Sequence, residues 1–205
     1  KTPIAALKLL LQNGEERCGA RGTEVFRGMK MEVFKIEQYV SMALSYVRLE
    51  SEQTDYVIKQ YSLDSIVKQS VRKYAPLFIS KKIRLNIEDT ALIVNTDEKW
   101  LGFVIEQVLS NSLKYTSSGS ISISYETPKT LIISDTGIGI APEDIPRIGE
   151  KGFTGYNGRT FRKSTGLGLY LCKEILTRLS HSMTISSEVG KGTTVKIDLQ
   201  TYKIT

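Results

Sequence analysis

The sequence predicts an α+β protein, with an N-terminal antiparallel helical hairpin followed by a two-layer α/β sandwich. Over the first fifty residues, apolar side chains recur at alternating spacings of three and four, the period of helices that pack along a seam. After residue 53 the pattern changes to short strand-like runs separated by amphipathic helical stretches, which is typical of a sheet covered by helices. We therefore expect two domains, residues 1–53 and 54–205.

The composition narrows the class of protein. The chain has 205 residues and a formal net charge of +6, with 40% hydrophobic residues, two cysteines and one histidine. The hydrophobic content is that of a globular protein, and no run approaches the ~18 apolar residues that a membrane helix needs. Two distant cysteines and a lone histidine predict neither a thiolate zinc site, a disulfide framework nor a multi-histidine metal centre.

Much of the positive charge lies in one glycine-containing segment, residues 147–163. This segment holds five basic residues and one acidic residue. A nucleic-acid surface usually shows repeated basic residues interleaved with aromatic residues on a defined element, whereas these basic residues lie in a predicted loop beside glycine-rich clusters. We therefore predict no nucleic-acid partner, and the alternative is a solvated loop.

The helical hairpin has a regular seam. The apolar spacing of the first helix begins at Ile4. Asn13-Gly14 and residues 18–22 interrupt the pattern, and a second helix is predicted to start at Thr23 or Glu24. Because such a hairpin cannot bury both faces alone, we expect a homodimeric four-helix bundle; packing on the rest of the same chain is the alternative. The seam of the second helix consists of Phe26, Met29, Val33, Ile36, Val40, Ala43 and Val47.

The rest of the chain is predicted to alternate strands and helices. Ser62 and Asp97 are positioned to cap helices over 63–78 and 98–115. Further helices are predicted near 142–148 and over 166–179, and a short apolar run occupies 91–94. Strands are predicted over 55–61, 82–88, 120–126, 129–134, 183–188 and 193–199.

A polar cluster lies on the predicted helix 98–115. Gln107, Asn111 and Lys114 follow at helical spacing and share one face, and Tyr115 follows them. An Asn carbonyl can ligate Mg²⁺, a Lys can neutralise phosphate, and a Tyr ring offers a stacking surface. Taken alone, such a face is more often solvated surface.

A second cluster follows the apolar strand 129–134. Asp135 stands at the strand end, and Gly137 and Gly139 follow it. A carboxylate fixed beside an approachable backbone can accept a hydrogen bond from an exocyclic amine such as that of adenine. A plain Asp/Gly turn is the alternative.

A third cluster opens the helix predicted after residue 165. Glycine-rich backbone at a helix N-terminus presents N–H groups and the positive end of the dipole to phosphate. The pattern is neither a dinucleotide fingerprint nor a Walker loop. A glycine-rich hairpin at 190–194 and Phe153, a candidate hydrophobic hinge at the basic segment, complete the pattern. The third cluster comprises Thr165, Gly166, Leu167, Gly168 and Leu169.

In this order and spacing, the clusters resemble the catalytic part of sensor histidine kinases. These kinases share an ATPase superfamily with gyrase, heat-shock chaperones and mismatch-repair proteins. Asn111, Lys114 and Tyr115 resemble the N box of the family, residues 135–139 and 165–169 its two glycine boxes, and Phe153 its F box. Within the family, the chain looks most similar to the short intramembrane-sensing kinases that Gram-positive bacteria pair with antimicrobial-peptide transporters.

The resemblance implies ATP and Mg²⁺ as cofactors. Asp135 would accept a hydrogen bond from the adenine amine, Asn111 would ligate Mg²⁺, and Lys114 and Tyr115 would contact phosphate and base or sugar. The glycines of the third cluster would supply backbone donors to phosphate. Residues 147–164 would form a mobile lid, whose candidates for neutralising the γ-phosphate are Arg159, Arg162 and Lys163.

The resemblance also places the phosphoacceptor. Lys1-Thr2-Pro3 matches the tail of the family's phosphoacceptor motif, so the histidine is expected three positions before Lys1, and Thr2 would position water during dephosphorylation of the partner regulator. His181 is expected to be structural or surface-exposed. Gln107 stands where the superfamily often has Glu or Asn, which argues against gyrase-like water activation. Gly149 stands where many members carry a second Phe beside the F box.

The resemblance predicts an ATP-dependent protein-histidine kinase core. It would phosphorylate the upstream histidine, pass the phosphate to a response-regulator Asp and act also as a phosphatase. The expected setting is a homodimer forming the cytoplasmic portion of a membrane protein, with a peptide-transporting ABC transporter as a further partner. The alternatives are an ATP-gated conformational clamp and a nucleotide-free dimerisation scaffold; a helical hairpin upstream of the ATP-binding domain favours the kinase.

Overall fold

The computed structural model describes residues 2–17, 20–51, 56–155 and 165–200. The chain divides into two compact units, Lys1–Gln53 and Thr54–Thr205. In the described residues, no helix combines the length and the apolarity that a bilayer crossing requires.

The first unit consists of two helices, α1 (Thr2–Arg17) and α2 (Ala20–Glu50). The interruption predicted at Asn13-Gly14 is wrong, because α1 continues through both residues. Gly14 makes room for a ring of the neighbouring helix: a Cβ there would lie 2.5 Å from Cε1 of Phe26. The second helix also begins earlier than Thr23. An ion pair between Lys8 and Glu37 links the two helices.

The predicted seam of α2 is only partly buried. Val33 is buried, as is Leu11 on α1. Phe26 is half-buried, and four other large apolar residues of the seam fall on one face and are exposed, so α2 presents an apolar stripe. The stripe consists of Met29, Ile36, Val40 and Val47.

In its described residues, the second unit has two layers, a five-stranded sheet and three α-helices, which confirms the predicted fold class. The sheet has the order β2-β4-β5-β7-β6; β2 and β4 are parallel and the other neighbours are antiparallel. A separate antiparallel pair joins β1 and β3. The elements are β1 (Lys59–Ser62), α3 (Leu63–Lys81), β2 (Arg84–Ile87), β3 (Ile93–Thr96), α4 (Glu98–Tyr115), β4 (Ser120–Glu126), β5 (Thr130–Asp135), α5 (Gly168–Arg178), β6 (Ser182–Glu188) and β7 (Gly192–Asp198).

Both predicted helix caps are present. The Ser62 side chain accepts from the Ser65 N–H at 3.4 Å, and Asp97 Oδ1 accepts from Lys99 and Trp100 at 2.9 and 3.0 Å. These bonds satisfy amides that have no partner within the helix.

Several boundaries differ from the prediction. The first strand starts at Lys59 rather than at 55, and α3 runs past 78 until Lys82 adopts a left-handed conformation with φ 55°. The predicted helix at 142–148 is reduced to one 3₁₀ turn, Ile145–Arg147, and α5 begins at Gly168 rather than at Gly166. A left-handed residue limits two of these helices: Lys82 ends α3, and Gly166, with φ +69°, lies outside α5.

The core lies between the sheet and α4. Alternate residues of β4 and β5 are almost fully buried, as the two-residue period of a strand requires. Leu101, Ile105 and Leu109 of α4 are fully buried. Each such side chain stabilises the fold by roughly 1.5–3 kcal/mol, so α4 is held firmly and its polar residues are held with it. The buried strand residues are Ile121, Ile123, Leu131 and Ile133.

Candidate functional site

Asp135 ends β5, between β4 and β7, and its carboxylate is held by backbone donors. Asp135 Oδ1 accepts from the N–H groups of Gly137 at 3.0 Å and Thr193 at 3.2 Å. Burial raises the pKa of Asp135 above its ordinary value, although hydrogen bonds from Gly137, the Ser112 side chain and Thr193 act in the opposite direction. The carboxylate is thus a partly desolvated acceptor in a fixed orientation.

The loop after Asp135 meets the C-terminal end of α4, which brings the first two predicted clusters together. Ile138 N–H donates to the Tyr115 carbonyl at 3.2 Å. A Cβ on Gly137 would lie 2.7 Å from the same carbonyl oxygen and 2.9 Å from Thr116 Oγ1. Among the described residues, the buried Thr116 hydroxyl has no hydrogen-bond partner, so this corner can still bond to water or to a polar ligand group.

The polar face of α4 also contacts the third cluster. Gln107 is only 8% exposed, which contradicts the alternative that this part of the face is solvated surface. Its Oε1 lies 3.1 Å from the position that a Cβ on Gly168 would take, at the first residue of α5. Asn111 and Lys114 are half-buried further along the same face, and Lys114 Nζ lies 4.8 Å from the Tyr115 ring centroid.

The glycine-rich segment before α5 is held by two hydrogen bonds. Thr165 Oγ1 accepts from Leu167 N–H at 3.3 Å, and the Gly166 carbonyl accepts from Gly152 N–H at 3.0 Å. Gly166 has φ +69°, and a Cβ there would lie 2.4 Å from the Gly152 carbonyl carbon, so only glycine fits. The second hydrogen bond joins Gly152, which lies within the predicted lid 147–164, to Gly166, which lies just after it. Leu169 is half-buried in the first turn of α5.

Phe153 packs on Arg147 at the start of the predicted lid. The Arg147 guanidinium carbon lies 4.3 Å from the ring centroid, and Arg147 Nε donates to Glu150 at 3.2 Å. The hinge predicted for Phe153 therefore includes a cation stacked on the ring.

Gly139 lies where the Asp135 loop meets the β6–β7 hairpin. Gly190 N–H donates to the Ile138 carbonyl at 2.9 Å, and Ile140 N–H donates to Ser187 Oγ at 2.9 Å. The predicted glycine-rich hairpin at 190–194 is thus a support of the Asp135 loop.

The structure describes four of the predicted site residues only in part or not at all. Arg159, Arg162 and Lys163 are outside the described residues, and for Thr2 the structure describes the backbone, at the start of α1, but not the side chain.

His181 is in the core. It is only 6% exposed and its Nε2 lies 3.1 Å from Thr96 Oγ1. Burial lowers the pKa of His181, with a weaker opposing effect of Ser180 and Asp198. A buried imidazole of this kind is a structural group and not an accessible phosphoacceptor.

Three polar side chains near Asp135 were not predicted from the sequence. They are Ser112, which lies on the buried side of α4, and Ser187 and Thr193, which come from the last two strands. Strand alternation places Ser187 on the same side of β6 as the apolar Ile185. A serine on the inward side of a strand was the sequence signal that could have identified Ser187 as a buried polar group.

Comparison with known proteins agrees with this architecture. Residues 96–203 match the family described as histidine kinase-, DNA gyrase B- and HSP90-like ATPase. The sensor histidine kinase YxdK of Bacillus subtilis is 35% identical over 98% of this chain and 62% of its own length. The sensor histidine kinase GraS of Staphylococcus haemolyticus is 37% identical over 95% of this chain and 56% of its own. The crystal structure of full-length ShkA with AMPPNP shares the fold, with a TM-score of 0.66 at 17% identity over 97% of this chain and 43% of that chain.

The fold and the matched family define a class of ATPase domains. The chain belongs to the histidine kinase-, DNA gyrase B- and HSP90-like ATPase family. Within that family, its similarity extends over nearly its whole length to sensor histidine kinases, which confirms the predicted resemblance. The chain spans about 60% of the length of these curated relatives.

Proposed function

We propose that residues 54–205 bind ATP between α4, α5 and the loop that follows β5. The observation that carries the proposal is the convergence of the three predicted clusters. Asp135 stands at one end of the site, Tyr115 and Thr116 border it, and the Gln107 amide lies beside Gly168 at the N-terminus of α5. A desolvated carboxylate acceptor at one end and helix-terminal amides at the other suit the amine and the phosphates of one ATP molecule.

Each predicted residue has a role in this proposal. Asp135 accepts from the adenine amine, and Gly137 and Gly139 let the loop approach the base. Lys114 and Tyr115 contact phosphate and base or sugar, and residues 165–169 supply backbone donors. Gln107 contributes an amide and, unlike a carboxylate, cannot take a proton from water. Phe153 is the lid hinge, and Arg159, Arg162 and Lys163 neutralise the γ-phosphate.

Mg²⁺ is proposed to be held by Asn111 together with the phosphates. In the described part of the chain, no group of three or more His, Cys, Asp or Glu could hold a metal by itself. A single amide oxygen fits Mg²⁺, which usually keeps few protein ligands and takes the rest from phosphate and water. The ion would reduce the negative charge of the triphosphate.

The proposed activity of the whole protein is that of a protein-histidine kinase. The γ-phosphate would pass to the histidine expected upstream of Lys1 and then to a response-regulator Asp, and Thr2 would serve the reverse, phosphatase reaction. Relatives at 35–37% identity are sensor histidine kinases, which favours the kinase over the ATP-gated clamp. The core position of His181 agrees with an acceptor elsewhere.

The proposed assembly is a homodimer through the hairpin of the first unit. The exposed apolar stripe on α2 supports it, because four large apolar side chains on one face need a cover. By resemblance, we also propose that this portion lies on the cytoplasmic side of a membrane-anchored protein. A peptide-transporting ABC transporter as partner rests on the resemblance alone.

Calorimetric titration of Mg·ATP into the chain tests the proposed site. Asp135→Asn should weaken binding by about 10- to 100-fold, because a hydrogen bond to a charged group is worth roughly 1.5–3 kcal/mol. Asp89→Asn is the matched control, since Asp89 is an exposed carboxylate that pairs with Lys68. Equal affinities of the two variants would contradict the assignment of Asp135, and absence of binding by the unaltered chain would contradict ATP binding altogether.

A further inference from the structure

We propose that Ser187 is a positioning residue that orients Asp135 and thereby sets the preference of the site for a purine with an exocyclic amine. The inference rests on the proposed binding of ATP at Asp135. Ser187 itself is not part of any predicted nucleotide motif. It is half-buried on β6, beside the loop that carries Asp135.

The Ser187 hydroxyl uses its full hydrogen-bonding capacity. It donates to the Gly192 carbonyl at 2.7 Å and accepts from Ile140 N–H at 2.9 Å. Thr193 Oγ1 lies 2.9 Å away and can donate to the remaining lone pair. One donor and two acceptor positions are all that a serine hydroxyl offers, so this side chain has a single well-defined orientation.

The bond to Gly192 acts on Asp135 through one peptide group. The Gly192 carbonyl and the Thr193 N–H belong to the same planar unit, and this N–H donates to Asp135 Oδ1 at 3.2 Å. Fixing the carbonyl end therefore fixes the direction of the N–H. A hydrogen bond accepted by the carbonyl also strengthens the N–H as a donor, because hydrogen bonds in a chain polarise one another.

The backbone here is too close to Asp135 for an alternative arrangement. Gly192 has φ +125°, and a Cβ on it would lie 1.8 Å from the Asp135 carbonyl oxygen. Only glycine can bring the Gly192–Thr193 peptide this near. The bond from Ile140 to Ser187 holds the other end of the loop, so one hydroxyl controls both sides of the segment 135–140.

This arrangement bears on recognition of the base more than on recognition of the phosphates. A carboxylate in a fixed direction accepts from the amine of adenine and opposes the carbonyl that replaces it in hypoxanthine. Sites built to satisfy a particular donor reject analogues that lack it, because a buried polar group is then left unpaired. If the Thr193 N–H were free to turn, the carboxylate would be less well directed, and the rejection would weaken.

Affinities for Mg·ATP and Mg·ITP test the inference, since the two nucleotides differ at the position of the amine. The unaltered chain should prefer ATP, and Ser187→Ala should reduce the ratio of the two affinities about tenfold. Ser187→Thr, which keeps the hydroxyl, should restore most of the ratio. Ser186→Ala is the matched control, because Ser186 is the exposed neighbour on the opposite face of β6 and should leave the ratio unchanged.

The pH profile of ATP binding provides a second readout. A less well directed hydrogen bond from Thr193 N–H to Asp135 Oδ1 lowers the pKa of this carboxyl less, so Ser187→Ala should move the acid limb of binding to higher pH. A merely structural serine would lower thermal stability and leave both the ATP/ITP ratio and the acid limb in place, which would overturn the inference. If Ser187→Ala does not fold, Ser187→Cys, a weaker donor, should give an intermediate ratio, and an unchanged ratio in that variant would overturn it.

The inference and the proposed function can fail separately. If Asp135→Asn abolishes the ATP/ITP preference while Ser187→Ala retains it, only the role of Ser187 is wrong. If Asp135→Asn also leaves the preference intact, the placement of the adenine amine at Asp135 is wrong.

Discussion

At the scale of single residues, Asp135 combines its proposed role in ATP binding with a cost to folding. Because burial raises its pKa in the folded state, the ionised form is less favourable in the folded chain than in the unfolded one. The stability that this group contributes is therefore complete below its unfolded pKa and is lost as the pH rises through the folded pKa. At neutral pH the buried charge reduces the free energy of unfolding.

Asp135→Asn should consequently separate binding from stability. We expect the variant to lose ATP affinity while its melting temperature at about pH 7.5 stays equal to that of the unaltered chain or rises, because the buried charge is gone. Differential scanning calorimetry without nucleotide measures this. A fall of more than about 3 °C, which for a unit of this size corresponds to roughly 1 kcal/mol, would show that the carboxylate stabilises the fold.

His181 has the opposite dependence on pH. Its folded-state pKa is lowered by burial, so its contribution to stability is complete above the unfolded pKa and is lost as the pH falls through the folded pKa. We expect the unaltered chain to lose more stability than His181→Gln between about pH 7.5 and pH 5.5, since glutamine can bond to Thr96 without taking up a proton. Urea unfolding at the two pH values gives the comparison. Parallel losses in the two proteins would contradict the effect.

At the scale of secondary-structure elements, the two N-caps differ in burial and in the number of hydrogen bonds that they accept. Asp97 is buried and accepts three bonds, since its Oδ2 also accepts from Val57 N–H at 2.8 Å, whereas Ser62 accepts a single bond of 3.4 Å. Asp97→Ala should therefore cost about 2–3 kcal/mol, the sum of a lost cap and an unsatisfied N–H. Ser62→Ala is the matched control and should cost about 1 kcal/mol or less. Chemical denaturation measures both, and equal costs would contradict the role of the third bond.

The apolar stripe on α2 is predicted to be the dimer interface. Replacing Ile36 and Val40 together by Gln should raise the dimer dissociation constant by at least about 100-fold, because each buried side chain of this size is worth roughly 1.5–3 kcal/mol. Arg27→Gln, an exposed change on the opposite side of α2, should have no effect. Sedimentation equilibrium provides the constants. A pair of Gln substitutions that leaves the association unchanged would exclude the stripe as the interface.

The predictability of the elements follows from the range of the interactions that define them. The caps Ser62 and Asp97 were found from the sequence because a cap acts over three residues. The interruption predicted at Asn13-Gly14 was wrong because the glycine accommodates Phe26 of another helix within a continuous α1, which no local pattern contains. The burial of Gln107 was missed for the same reason, since it depends on the approach of α5.

At the scale of the whole molecule, the order of the clusters along the chain was sufficient to predict the class of protein. The contacts between the clusters could not be predicted in the same way. The spacing of Asp135 and the glycines along the chain is a sequence property. The contact of Ser187 with Gly192 and Ile140 depends instead on the pairing of β6 with β7 and on the path of the 135–140 loop. Such register is fixed by packing between distant segments and has no signature in a single strand.

In the proposed reaction, the γ-phosphate of ATP passes to a histidine. The full-length protein, incubated with γ-labelled Mg·ATP and then treated with acid or alkali, tests it most directly. We predict an acid-labile, alkali-stable label on the histidine expected upstream of Lys1, retained in His181→Gln and strongly reduced in Asp135→Asn when ATP is limiting. ATP hydrolysis without any labelled histidine would contradict the kinase assignment and favour the ATP-gated clamp.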